Sequence, residues 1–337
     1  MPPSTRIPPL LQPYVQLPHD DSLLLLTSTL GASANWLLIR FLCDALNTSS
    51  QDGEEEGHNV VLVSWMREYD FWKQEARKGA GLDLERLRKE GRFACVDGLG
   101  MGVNERQATQ AQSSQSGGRI PLARGPPGRI VARADITAPH ASADSTGQSK
   151  GTSGHYTLKS LELEHLKATI SSAVTSLAAS TATPSVTQRK TLLILDNPDL
   201  VLALNPAITH SKLASLILDL HTLPTVSHML THIQSDNPLL SLFAPPQPLE
   251  VAHHNLLVKC AHMSRRILGV RVLDTGVARD VSGVIRITEH KAEWLGLGFD
   301  SGEGKMGDDS GRGNEFLYQV KGDGSVRVFE RGAGGEG

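Results

Sequence analysis

A chain of 337 residues with 39 % hydrophobic but only 4 % aromatic side chains has enough apolar content for a folded core, and that core must be aliphatic. Its formal net charge of −3 excludes a global pull towards nucleic acid or anionic membrane, so any polyanion must be met by a local patch. Cys43, Cys95 and Cys260 are scattered without CxxC spacing, which excludes a disulfide framework or a paired-cysteine zinc site.

Residues 1–17 are proline-rich and lack the basic-then-apolar order of a secretory signal, so a flexible leading segment is expected. Ser22 to Thr29 is an apolar run that predicts a buried strand, and Trp36 to Leu46 carries apolar residues at helical spacing. Asn59 to Ser64 predicts a second strand, Glu68 to Lys78 a helix, and Asp83 to Glu90 a shorter helix capped by Asp83. Gly91 ends that helix and Phe93 to Asp97 predicts a third strand.

From Asn104 to Gly154 the chain is rich in Ser, Gly, Ala, Gln, Thr, Pro and Arg and holds no aromatic residue. Such a composition buries too little surface to offset its ordering entropy, so a disordered insertion is expected over 104–154. Leu158, Leu161, Leu166, Ile170, Val174 and Leu177 then share one face of a long helix closed by Thr183 and Pro184. Thr191 to Asp196 is an apolar strand ending in an acid, Ile208 to Leu220 a helix, and Val226 to Ile233 a weaker strand. Leu249 to Ala261 predicts a helix, Ile267 to Leu273 and Gly283 to Thr288 predict strands, and Glu315 to Glu330 a hairpin folded at Gly322-Asp323-Gly324. Strands alternating with helices and then a strand-rich end predict an α/β fold, its mainly parallel sheet flanked by helices with antiparallel C-terminal additions. One domain over 18–330, interrupted by the insertion and followed by a flexible 331–337 tail, accounts for the whole chain.

The turn Leu30 to Asn35 between the first strand and helix stands where a P-loop cradles phosphate on backbone N–H groups. Against the pattern G-x-x-x-x-G-K-[ST], Ser28 takes the first Gly, Ser33 the second, Ala34 the Lys and Asn35 the hydroxyl residue, with Gly31 inside the turn. Without the Lys, a charge-assisted contact worth about 1.5 to 3 kcal/mol is lost, and nucleotide turnover with it. Asp196 takes the place of a Walker B acid, although in Leu195-Asp196-Asn197-Pro198 it equally opens a turn. Neither metal nor nucleotide cofactor is expected.

Competing patterns are weaker. The same turn lacks the G-x-G-x-x-G of a dinucleotide site, and Tyr69 and Lys73 match Y-x-x-x-K spacing too early in the chain for a dehydrogenase pair. His228 and His232 are four apart without the HExxH glutamate, so core or surface histidines are expected. Arg265, Arg266, Arg271 and Arg279 make a basic stretch whose bland role is pairing with Asp274 and Asp280.

Leu30 to Cys43, Val60 to Lys73, Gly91 to Leu99, Ser227 to Leu242 and, most specifically, Leu273 to Arg286 (LDTGVARDVSGVIR) together resemble the sixth-subunit family of Elongator, the complex that modifies tRNA wobble uridines. The resemblance implies a RecA-like fold with a degenerate P-loop and no catalysis of its own. It also implies a heterohexameric ring with Elongator subunits four and five and tRNA bound through that ring; the scattered cysteines and the lack of a secretory signal lead to an expected cytoplasmic and nuclear location. Within such a ring Arg265, Arg266, Arg271 and Arg279 become candidate RNA contacts. The alternative is a divergent nucleotide-dependent enzyme, an ATPase or a dinucleotide-dependent oxidoreductase.

Overall fold

The computed structural model describes residues 7–46, 57–99, 154–180, 189–240, 245, 247–276, 278, 280–289 and 313–330. The expected insertion, the 331–337 tail and the Thr183–Pro184 helix stop lie outside the described residues, apart from Gly154.

The strands are β1 Ser22–Ser28, β2 Asn59–Ser64, β3 Phe93–Asp97, β4 His155–Thr157, β5 Thr191–Asp196, β6 Val226–Gln234, β7 Arg266–Arg271, β8 Gly283–Glu289, β9 Asn314–Val320 and β10 Val326–Glu330. They form one ten-stranded sheet in the order β10-β9-β8-β7-β1-β6-β5-β2-β3-β4. From β7 through β4 neighbours run parallel, and β7 to β10 pair antiparallel. Strands buried on both faces need continuous apolar runs rather than alternation, and β2 and β5 are buried at every position.

Successive side chains of a strand point to opposite faces, so each apolar strand feeds two cores. Leu24, Leu26, Val60, Leu62, Leu192 and Ile194 face one layer, made by α2 Asn35–Leu46, α3 Tyr69–Ala80 and α4 Leu84–Lys89. Leu23, Leu25, Val61, Val63, Leu193 and Leu195 face the other, made by α5 Leu163–Ser180, α6 Leu200–Leu204, α7 His210–His221 and α9 Pro248–Met263; α8 is the short Asn237–Leu240 turn. Asp83 caps α4 by accepting from the Arg86 N–H at 3.1 Å, as its sequence position predicts. This is the α/β layering expected from the sequence, a mainly parallel sheet flanked by helices with antiparallel additions at one edge.

Residues 7–17 differ from the flexible lead expected. A short 3₁₀ turn, Pro9–Leu11, runs into α1 Gln12–Val15, and Ile7, Leu11 and Val15 are buried in the first core. Prolines at the first positions of each turn favour helix entry instead of breaking it, and Leu11 and Val15 then share one face. The Arg266 guanidinium fastens this segment by donating to the carbonyls of Tyr14 and Gln16 at 2.6 and 3.0 Å. Two smaller differences concern the region after the insertion: β4 adds an edge strand, and α5 begins at Leu163 although Leu158 is already buried.

Candidate functional site at the carboxyl ends of the parallel strands

In an open parallel sheet, ligand chemistry gathers outside the carboxyl ends of the strands. Ser28 ends β1, Ser64 ends β2, Asp196 ends β5, and His232 and Gln234 stand at the end of β6. Their side chains meet. The Ser28 hydroxyl is shared between His232 Nε2 at 2.8 Å and Gln234 Oε1 at 3.2 Å. His232 Nδ1 lies 2.8 Å from Asp196 Oδ1, and Ser64 Oγ donates to Asp196 Oδ2 at 2.7 Å. Ser28, Asp196 and His232 are 2 %, 1 % and 3 % exposed, so these three are sealed from water, with Gln234 half-buried beside them.

Ser28, His232 and Asp196 follow the bonding order of a nucleophilic triad. Burial keeps a substrate from Ser28, and the neighbouring backbone donors are taken: Thr29 N–H donates to Val270 O at 3.1 Å and Leu30 N–H to the Asp236 carboxylate. A carboxylate beside the place an oxyanion would need repels it. The relay therefore acts as a structural tie across β1, β6, β5 and β2. Next to it Asn197 adopts φ 58° and donates its N–H to His232 O at 3.0 Å, a left-handed turn that Asn tolerates. Burial pushes the Asp199 carboxyl up, opposed by the His253 ring 3.7 Å away.

The P-loop position is occupied but altered. Gly31 turns with φ 87°, Ser33 is exposed and Asn35 opens α2. Ala34, in the place of the phosphate-binding Lys, is 1 % exposed and its carbonyl accepts from Leu37 and Leu38 N–H. The segment after β6 is zipped onto the turn: Ser235 N–H donates to Ser28 O at 2.8 Å, and Asp236 holds Leu30 N–H. A negative side chain thus sits at the Leu30 N–H, a backbone donor of the kind that faces phosphate in a working loop. Asp196, the Walker B candidate, is spent on His232 and Ser64. Among the described residues no group of three or more His, Cys, Asp and Glu is arranged to hold a metal ion.

The arginine candidates do not form one patch. Arg265 and Arg266 lie at the amino end of β7, and Arg271 at its carboxyl end. Arg265 pairs with Asp20 at 2.7 Å, and Arg266, 9 % exposed, is spent on Tyr14, Gln16 and Glu289, which corrects its expected RNA role. Arg271 reaches Asp274 at 2.6 Å and Glu315 at 3.5 Å. Arg279 lies outside the described residues. Tyr69 donates to Glu85 at 3.1 Å and Lys73 lies 3.8 Å from the same carboxylate, so that pair is structural. No sequence signal links His232 and Gln234 to Ser28 or Asp236 to Leu30, since each bond joins residues more than two hundred positions apart.

Fold and site together define an α/β protein with a mainly parallel sheet flanked by helices, in which the turn after β1 presents no Lys and has its Leu30 N–H held by the Asp236 carboxylate. No protein-family model matches the sequence, and no curated protein does. Among solved structures the chain is similar to an uncharacterised protein from Pyrococcus horikoshii in complex with an unknown peptide: 10 % identity, TM-score 0.53, covering 96 % of this chain and 98 % of that one. It is also similar to a KaiC-like protein from the hyperthermophilic archaeon Pyrococcus horikoshii OT3, at 12 % identity and TM-score 0.43 over 92 % and 90 % of the two chains. At 10 % identity the first of these likenesses speaks to the fold alone. No described helix is long and apolar enough to cross a membrane.

Proposed function

We propose that this chain is a non-catalytic RecA-like subunit of Elongator, joined with subunits four and five in a heterohexameric ring that binds tRNA for wobble-uridine modification. The observation that carries the non-catalytic part is the closed phosphate turn: Ala34 is buried where the Lys would reach out, and Asp236 occupies the Leu30 N–H. A fold kept without its chemistry is kept for its surfaces. Leu30, Met66, Leu99 and Val272 are exposed large apolar residues, and each follows the carboxyl end of a parallel strand, β1, β2, β3 and β7. An apolar rim on one edge of the sheet supports a subunit contact there. The sequence resemblance supplies the identity of the neighbours.

Calorimetric titration of the purified chain with Mg·ATP, beside a phosphate-release assay, tests the non-catalytic part. Neither heat of binding nor release above a buffer blank is expected. Turnover that vanishes in Asp196→Ala would overturn it.

A further inference from the structure

The antiparallel extension β7–β10 has one face packed and one open. Ile285, Ile287, Phe316 and Tyr318 point into the first core. The alternate residues point away, and none from β8, β9 or β10 belongs to the second core, whose helices stop at Ile267 on β7. Cross-strand register sets out what the open face presents. One row runs Arg271, Val284, Leu317 and Phe329, but Val284 is 3 % exposed, so the apolar part of the row that reaches the surface is Leu317 and Phe329. Arg286, opposite Glu315, flanks that row on one side, and Arg327, opposite Gln319, on the other. Arg286 and Arg327 are exposed and Leu317 and Phe329 half-buried.

We infer that this open face is a platform for single-stranded RNA, with a base stacked on Phe329 and phosphates met by Arg286 and Arg327. Charge complementarity joins a short apolar strip here: among the described residues the face carries three guanidinium groups against the one carboxylate of Glu315, with Asp274 at its margin. Arg271 is largely neutralised by those two acids, so Arg286 and Arg327 carry the field. An aromatic on a β-sheet surface between basic side chains is the arrangement by which sheets hold unpaired bases, stacking giving affinity and arginines tracking the backbone. The chain's overall charge of −3 makes such a patch a local feature. The choice of RNA among polyanions rests on the function proposed above; the geometry of the face does not.

The test uses the full-length chain, alone and co-expressed with Elongator subunits four and five, and a fluorescein-labelled oligouridylate of about 12 nucleotides. Fluorescence anisotropy over a salt series should give binding that weakens as salt rises. The Arg286→Gln/Arg327→Gln pair should flatten the log–log salt slope by about 1.4, as two lost single-strand phosphate contacts require. Phe329→Ala should weaken binding by about five-fold or more. A thermal melt of each variant matching that of the unaltered chain excludes misfolding as the cause, and Phe329→Tyr, which keeps the ring, should retain affinity. Unchanged affinity and slope in the arginine pair would overturn the platform. So would intact RNA binding accompanied by loss of ring entry, which would make the face a protein contact. A chain that binds the oligonucleotide through these residues but never enters a ring would sustain the platform while refuting the ring reading.

Discussion

Asp196 on β5 and His232 on β6 are joined by a 2.8 Å hydrogen bond inside the sheet's carboxyl edge, where a nucleotide-cleaving RecA-like fold would need the carboxylate free for Mg²⁺. With Asp196 1 % and His232 3 % exposed, the bond is a tie between buried groups. Removing His232 leaves the buried Asp196 carboxylate with Ser64 as its remaining side-chain donor, which costs more than the bond itself is worth. His232→Ala should lower unfolding free energy by about 3 kcal/mol in urea titration, and Ser64→Ala, which removes a secondary donor to the same acid, by about 1 kcal/mol. Equal, small effects would show that the relay is dispensable.

Arg40 offers a second test of how the fold is held. It is 1 % exposed on α2 and donates to Gly79 O at 2.8 Å and Gly324 O at 3.1 Å. Gly79 lies in the last turn of α3, so the cation also meets the negative end of that helix. The same side chain therefore fastens the β9–β10 turn to the helical layer. Arg40→Met leaves the Gly79 and Gly324 carbonyls without this donor and should cost about 2 kcal/mol, and hydrogen exchange should accelerate selectively in β9 and β10. Acceleration spread evenly over the sheet would contradict a local clamp.

Burial pushes the Asp44 carboxyl up to about 6 from 3.8. The native state holds this proton at pH values where the unfolded chain has released it, so the group's contribution to stability is full below 3.8 and is lost as pH rises through about 6. Asp44→Asn should therefore stabilise the protein by about 2 kcal/mol at pH 7.5 and by almost nothing at pH 4. Urea midpoints at the two pH values measure the difference. A gain independent of pH would point to a cause other than titration.

The strands most legible in the sequence are those where an aliphatic run meets clear punctuation. TLLILD and NVVLVS read as strands because nothing polar interrupts them, and both are buried at every position. Strand β6 read as weak because His228, Thr231 and His232 dilute its pattern, yet it is central and buried through Ile233. Its polar groups are satisfied by distant partners, His232 by Asp196 and His228 by Pro18 O at 2.8 Å, which no local pattern reveals. The missing Lys at Ala34 was equally plain from spacing. That Asp236 closes the turn was not, because it depends on β1 and β6 lying side by side. Residues 7–17 were misjudged for a different reason: their prolines read as breakers when they stand at helix starts.

The apolar rim bears on assembly. Leu30 is 85 % and Val272 43 % exposed, and their loops touch, since a Cβ on Gly31 would lie 3.2 Å from Val272 Cγ1. Surface changes away from packed groups alter stability by about 0.5 kcal/mol or less. Leu30→Glu with Val272→Glu should thus leave the melting midpoint of the chain nearly unchanged while preventing its co-purification with tagged Elongator subunit four. Retained co-purification would remove the rim from the interface.

Native mass spectrometry of this chain co-expressed with Elongator subunits four and five decides whether it is a ring subunit. A closed assembly holding two copies of each subunit is expected, each chain presenting two different faces to its neighbours. A stable monomer of this chain in the presence of both partners would contradict it.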